Sequence, residues 1–237
     1  MNKIIIVVVA VIVIGMSIAV YASGAKKGTT KFNEYKKNDE SSYELNLNIE
    51  KVPNDYFKGQ ITEVKDMVLK QIEEYEPYMS WYPLHYSRMF DSVDLALEYM
   101  GTGIIEHPLG DEGEVMLKVE CNDSGEFKCV SLESEYEFDE YKLQIFNYIF
   151  TERYNADKEF VRMSSHALGD IDYTYSTGTL ASGVEADIIT SSPNEGGVVN
   201  VSAYFVKGEV VYSINIPEKD GNTDKALEVM NKVLKLY

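Results

Sequence analysis

The chain has 237 residues, a formal net charge of −17 and an isoelectric point near 4.6. So acidic a surface excludes nucleic acid as a partner, because phosphate binding needs clustered Lys and Arg, and it opposes adhesion of the folded part to anionic lipid. Beyond the first apolar run roughly two hundred residues remain, enough for one large domain or two small ones with a real core.

The run Ile4 to Ala22, "IIIVVVAVIVIGMSIAVYA", carries no charge. At about 1.5 Å per residue it spans roughly 28 Å, close to a bilayer core, and predicts a single membrane-spanning signal-anchor within residues 1–23. It is longer than the apolar part of a cleaved signal, about 7–15 residues. Val20 and Ala22 nevertheless stand where a signal peptidase accepts them, so secretion after cleavage is the alternative. Residues 24–40 form a polar tether crowded with Lys26, Lys27, Lys31, Lys36 and Lys37. Those lysines favour a cytoplasmic side, whereas a segment beginning almost at the amino terminus favours export. Residues 41–237 make up the expected folded domain.

In "SYELNLNIE" the apolar Tyr43, Leu45, Leu47 and Ile49 alternate with polar residues, as in a half-buried strand. From Asn54 the period lengthens. Phe57, Ile61, Val64, Val68, Ile72, Tyr75 and Met79 fall on one stripe of an amphipathic helix, preceded by Pro53 and ended by Pro77. "PYMSWYPLHYSRMF" then gathers Tyr78, Trp81, Tyr82 and Tyr86 into a short window. These aromatics either pin a loop to the core or form a surface on which a sugar or peptide stacks. "SVDLALEYM" predicts a short helix capped by Asp91 or Ser92 and closed by Gly101.

Cys121 and Cys129 flank an Asn-Asp-Ser-Gly turn and predict a β-hairpin. A turn centred on Gly125 sets the cysteines face to face, where a cross-strand disulfide can form. A turn centred between Ser124 and Gly125 puts them on opposite faces, where none can. "YKLQIFNYIFTERY" is apolar on both faces, as a central strand is. "GVEADIITS", "GVVNVSAYFV" and "EVVYSINIP" predict three more strands, the last two joined by a two-residue turn at Lys207-Gly208. A final helix is expected from Asn222–Thr223, with Leu227, Met230, Val233 or Leu234, and Tyr237 on one side. The fold class expected is α+β, an antiparallel sheet with helices packed on one face.

Motifs for chemistry are absent or incomplete. There is no phosphate-cradling glycine loop and no G-x-S-x-G elbow, and His85, His107 and His166 show no metal-ligand spacing. Ser23 and Lys26 match Ser-x-x-Lys inside the tether, where no pocket can surround them. In "DGNTDKALEVMN", Asp220, Asn222 and Asp224 sit as in a calcium loop, but Lys225 replaces the bend glycine and Asn231 the bidentate glutamate. A turn capping the last helix is the simpler reading. Paired carboxylates in "ESEYEFDEY" and "GDEGE" are what any acidic surface shows. No catalytic residue, metal or cofactor is therefore expected.

The order "FDSVDLALEYMG", "IIEHPLG", "VEADIITSS…VVNVSAYFVKGEVVYSINI" and "DKALEVMNKVLKLY" resembles an extracytoplasmic domain of unknown function. Many Firmicutes membrane proteins carry that domain after their transmembrane helix, some anti-sigma factors among them. The resemblance covers about residues 85–237. Only Met1, Asn2 and Lys3 precede the apolar run, so a sigma-binding region is not implied. What it implies is a sensor-like or accessory exported domain of a Gram-positive envelope. The combined expectation is a non-enzymatic, membrane-anchored, extracytoplasmic binding or sensing domain whose partner is an envelope protein or peptide. The alternatives are an envelope hydrolase using paired carboxylates and a structural or assembly subunit.

Overall fold

Period-two alternation of apolar residues organises most of the described residues into strands, while stretches of longer period fold as helices. A computed structural model describes residues 49–53, 55–67, 70, 84–110, 113–122, 124–151 and 173–237. The anchor, the tether, residues 43–48 of the first expected strand and the distal part of the first expected helix lie outside the described residues. Among the described residues, no helix is long and apolar enough to cross a membrane.

The strands are β1 (Leu84–Phe90), β2 (Val115–Cys121), β3 (Phe127–Phe138), β4 (Tyr141–Phe150), β5 (Tyr173–Thr179), β6 (Glu185–Ser191), β7 (Val199–Lys207) and β8 (Val210–Glu218). Helix α1 (Val93–Met100) lies between β1 and β2, and α2 (Thr223–Leu234) follows β8. Among the described residues these eight strands form one antiparallel sheet in the order β1-β2-β3-β4-β8-β7-β6-β5. Two four-stranded meanders thus meet at their last strands, β4 and β8. The class is α+β, as expected, and "YKLQIFNYIF" is indeed a central strand. Pro217 is tolerated in β8 because the β4 partnership ends at Asn215, so its missing N–H costs no ladder bond there.

Both helices cover one face. Val115, Leu117 and Val119 of β2, Leu143 and Ile145 of β4, and Tyr212, Ile214 and Ile216 of β8 point to it and are buried. α1 closes it over β1 and β2 with Ala96, Leu97 and Met100, and α2 closes it over the second meander with Val229, Met230 and Val233. Each Val, Leu, Ile or Met side chain among them contributes about 1.5–3 kcal/mol of burial. Ser92 caps α1 by accepting from Leu95 N at 3.2 Å, and Gly101 ends it at φ 67°. Gly101 crosses Gly59 so closely that a Cβ on Gly59 would lie 2.1 Å from Tyr99 O. The C-terminal Tyr237 packs edge-on against Phe205 and Tyr212, 5.3 Å from each, and its carbonyl accepts from Lys207 Nζ at 2.8 Å.

Several expectations need correction. The helix expected from Asn54 is present but starts later, with a 3-10 turn at Gln60–Glu63 that continues as α-helix at residues 64–67, because the chain must first pass the Gly59–Gly101 crossing. "LHYSRMF" is the edge strand β1, not a loop. The β7–β8 turn is Gly208–Glu209, one residue later than expected, since Lys207 still pairs with Val210. Cys121 and Cys129 are not disulfide-bonded. A bulge after Glu120 pairs Glu120 with Cys129 and Cys121 with Phe127. It leaves Cys121 in the helix-side core and Cys129 in a separate cluster on the other face, with Phe150 and Tyr204.

Candidate binding face

On β2 and β3 the sheet face opposite the helices carries the more polar half of the alternation, whereas toward β4, β8 and β7 the same face holds the second apolar cluster of Phe150, Tyr204 and Val211. On β3 the alternation puts Glu133, Glu135 and Glu137 in a row, while Leu132 and Tyr136 point into the core. Across from them stand Met116 and Lys118 of β2 and Lys142 of β4; Met89 of β1 lies opposite Met116. Together with Gly113 and Glu114 these residues shape an open groove of about 620 Å³. Met89 is 52% exposed, a large apolar side chain left in water beside a second methionine. Methionine adapts its shape to what it touches and recurs on binding surfaces for that reason.

Ion pairs set the charge of the groove. Lys118 Nζ lies 2.6 Å from Glu133, and Lys142 pairs with Glu135. The bond from Lys142 holds the Glu135 carboxyl below the usual carboxylate range against a small desolvation effect. Glu135 also accepts from Gln144 Nε2 at 3.5 Å. There begins a chain of neutral polar contacts across the sheet. Gln144 Oε1 accepts from Asn215 Nδ2 at 3.0 Å, and Asn215 Oδ1 accepts from Ser202 Oγ at 3.0 Å. The ladder crosses β4, β8 and β7 and positions Gln144 against Glu135. Alongside it Phe146, Tyr148 and Phe150 stack down β4 at 6.4 and 6.2 Å. Burial pushes the Tyr148 hydroxyl far above its ordinary titration range, so it stays protonated.

The sequence-derived candidates scatter. Tyr78, Trp81 and Tyr82 lie outside the described residues. Tyr86 lies on β1 opposite Val119, packs against the helix-side core and hydrogen-bonds Tyr99, away from the groove. Cys121 is buried, and its desolvated thiol is pushed up to about 11. His85 lies on β1 opposite Glu120 and His166 is outside the described residues; His107 Nε2 is 3.3 Å from Asp94, and its buried Nδ1 has no partner. Among the described residues no group of His, Cys, Asp and Glu could hold a metal ion. The "DGNTDK" turn is organised by Glu218, almost wholly buried, whose carboxylate accepts from Asp220 N at 2.6 Å and Asn222 N at 2.9 Å.

Sequence reasoning did not single out Met89, Met116, Glu133, Glu135 or Lys142. The alternation Leu132-Glu133-Ser134-Glu135-Tyr136-Glu137 was the available signal, since it puts the three glutamates on one face of one strand. No protein-family model, no curated protein and no solved structure matches the chain. Its chemistry is therefore read from these side chains alone.

Proposed function

We propose that the chain is a membrane-anchored, extracytoplasmic binding or sensing domain of a Gram-positive cell envelope, without catalysis of its own. Residues 1–23 hold it in the membrane, residues 24–40 are the tether, and residues 41–237 present the sheet. The groove face meets an envelope protein or peptide. The observation that carries this reading is the exposed Met89 beside Met116, an adaptable apolar floor rimmed by glutamates and lysines. An apolar centre within a charged rim is the composition of a protein-recognition patch.

Carboxylate chemistry draws no support from the same residues. A general acid must keep its proton near neutral pH, yet the Glu135 carboxyl is shifted the opposite way by Lys142. Glu133 likewise has a lysine against it. Neutralised carboxylates of this kind orient and discriminate partners without transferring protons.

Photo-crosslinking in producing cells tests the reading. A photoreactive residue replaces Met89 in the full chain, and a second version carries it at Leu95, which is 47% exposed on α1. The expected outcome is a discrete adduct from position 89 and none from position 95. Adducts from position 95 alone, or from neither position, overturn it.

A further inference from the structure

The groove of the proposed binding face changes character along β3. Three rungs cross it, two residues and about 7 Å apart. The first is apolar, with Met89 opposite Met116, and the neighbouring Glu133 is matched by Lys118 at 2.6 Å. The second holds Glu135 and, beside it, Glu114; a Cβ on the adjoining Gly113 would lie 3.9 Å from Glu135 O. The third holds Glu137 opposite Lys142. Lys142 is the one described lysine set among these three carboxylates, and it pairs with Glu135. Glu114 and Glu137 are exposed, and no described lysine or arginine pairs with either.

We propose that this groove takes an extended segment of a second protein, with an apolar side chain on Met89 and Met116 and Lys or Arg two and four residues from it. The proposal rests on the reading of the groove as a protein-binding face and adds the chemistry of the partner. An extended chain turns every second side chain to one side, so its repeat equals the spacing of the rungs. The methionine rung supplies burial and adapts to the side chain it receives. The acidic rungs supply selection. A basic side chain meets carboxylates that the chain's own lysines leave unmatched, whereas an acidic one meets like charge. With a screening length of about 8 Å at physiological salt, charges one rung apart still act together.

Charge also sorts the candidate occupants. A second copy brings a net charge of −17 to an acidic groove and is disfavoured. The chain's own Lys26, Lys27, Lys31, Lys36 and Lys37 directly follow the proposed anchor, where anionic headgroups attract them. A basic segment of a separate protein meets neither obstacle. The ion pairs it makes with Glu114 and Glu137 are exposed and individually weak, and together they change affinity by about fivefold.

The test uses the full chain in producing cells with the photoreactive residue at position 89. It is placed in the parent, in E114Q/E137Q, and in E185Q/E195Q, which removes the same charge from exposed sites on β6 and the β6–β7 turn. The expected result is an adduct that falls about fivefold in E114Q/E137Q and persists in E185Q/E195Q. Digestion and mass spectrometry of the parent adduct should place the crosslink in a segment with Lys or Arg two and four residues from an apolar residue. An adduct undiminished in E114Q/E137Q, one lost equally in both variants, or attachment to an acidic or uncharged segment overturns the proposal and leaves the groove as a binding face. Attachment to a second copy or to the chain's own residues 24–40 overturns it as well. No adduct from position 89 in the parent sinks the groove reading itself, and this proposal with it.

Discussion

The Gly59–Gly101 crossing gives the sharpest test of the packing. It joins the entry of the first helical turn to the exit of α1, with Gly59 N donating to Met100 O at 3.2 Å. In Gly59→Ala the added Cβ would stand 2.1 Å from Tyr99 O and 2.4 Å from Gly101 N. Both obstacles are backbone atoms, so relief requires the two segments to part. Overpacking of this kind costs about 1–3 kcal/mol, and the hydrogen bond it strains adds about 1 kcal/mol. A loss of about 2–4 kcal/mol is expected, because Phe57 and Ile61, almost fully buried on either side, cannot follow freely. Gly101→Ala meets Gly59 N at 2.2 Å and also adopts φ 67°, which adds about 1–2 kcal/mol for an L-residue. Urea unfolding of the full chain measures both. In the double variant the losses combine to less than their sum, since one separation relieves both clashes. Single variants within about 0.5 kcal/mol of the parent, the usual range for an unconstrained surface site, would refute the reasoning.

Other expectations follow from charge and backbone geometry. Glu140→Gly removes a left-handed glutamate (φ 70°) from the β3–β4 turn, a gain of about 1–2 kcal/mol, and loses only the exposed pair with Lys225 at 3.2 Å. The urea midpoint should rise; a fall would show that pairing to α2 outweighs the backbone strain. Alkaline pH should weaken the fold in two stages. The Cys121 thiol is raised by burial from 9.0 to about 11, and the Tyr212 hydroxyl by burial from 10.0 to about 12. Unfolding therefore releases protons in these windows, so the stability each group adds is whole below its unfolded pKa and falls as pH rises to its folded one. The midpoint should stay level with respect to these groups up to about pH 9, then decline, and Cys121→Ala should flatten the earlier part of that decline. A parent midpoint flat to pH 11 contradicts the assignment.

What could be read in the sequence follows from where hydrophobic periodicity is strong. α1, β4, β7, β8 and α2 carry dense apolar patterns with caps and turns, and they form where expected. β5 is made of Tyr, Thr, Ser and Gly with no buried apolar series, so the period-two signal is silent and only the strand preference of its Tyr and Thr marks it. β1 was hidden because the aromatics beside it read equally well as a pinned loop. The cysteine register turned on a bulge after Glu120, which shifts one strand by a residue without a composition signature. The pairing of β4 with β8 is long-range, and local pattern does not encode it. The groove was hidden for a related reason. Its glutamates were visible as an acidic run, but only the sheet places Met89 and Met116 beside them.

The proposed placement outside a membrane decides the account, because the proposed partner and the use of the groove both follow from it. Cys121 and Cys129 are only 1% and 7% exposed, so the native thiols cannot report it in the folded chain. Full-length V184C supplies an exposed thiol on the β5–β6 turn, to be challenged in intact producing cells with a membrane-impermeant maleimide. The account predicts labelling without lysis, on protein that fractionates with the membrane. Labelling that requires lysis, or labelled protein released to the medium, would contradict it.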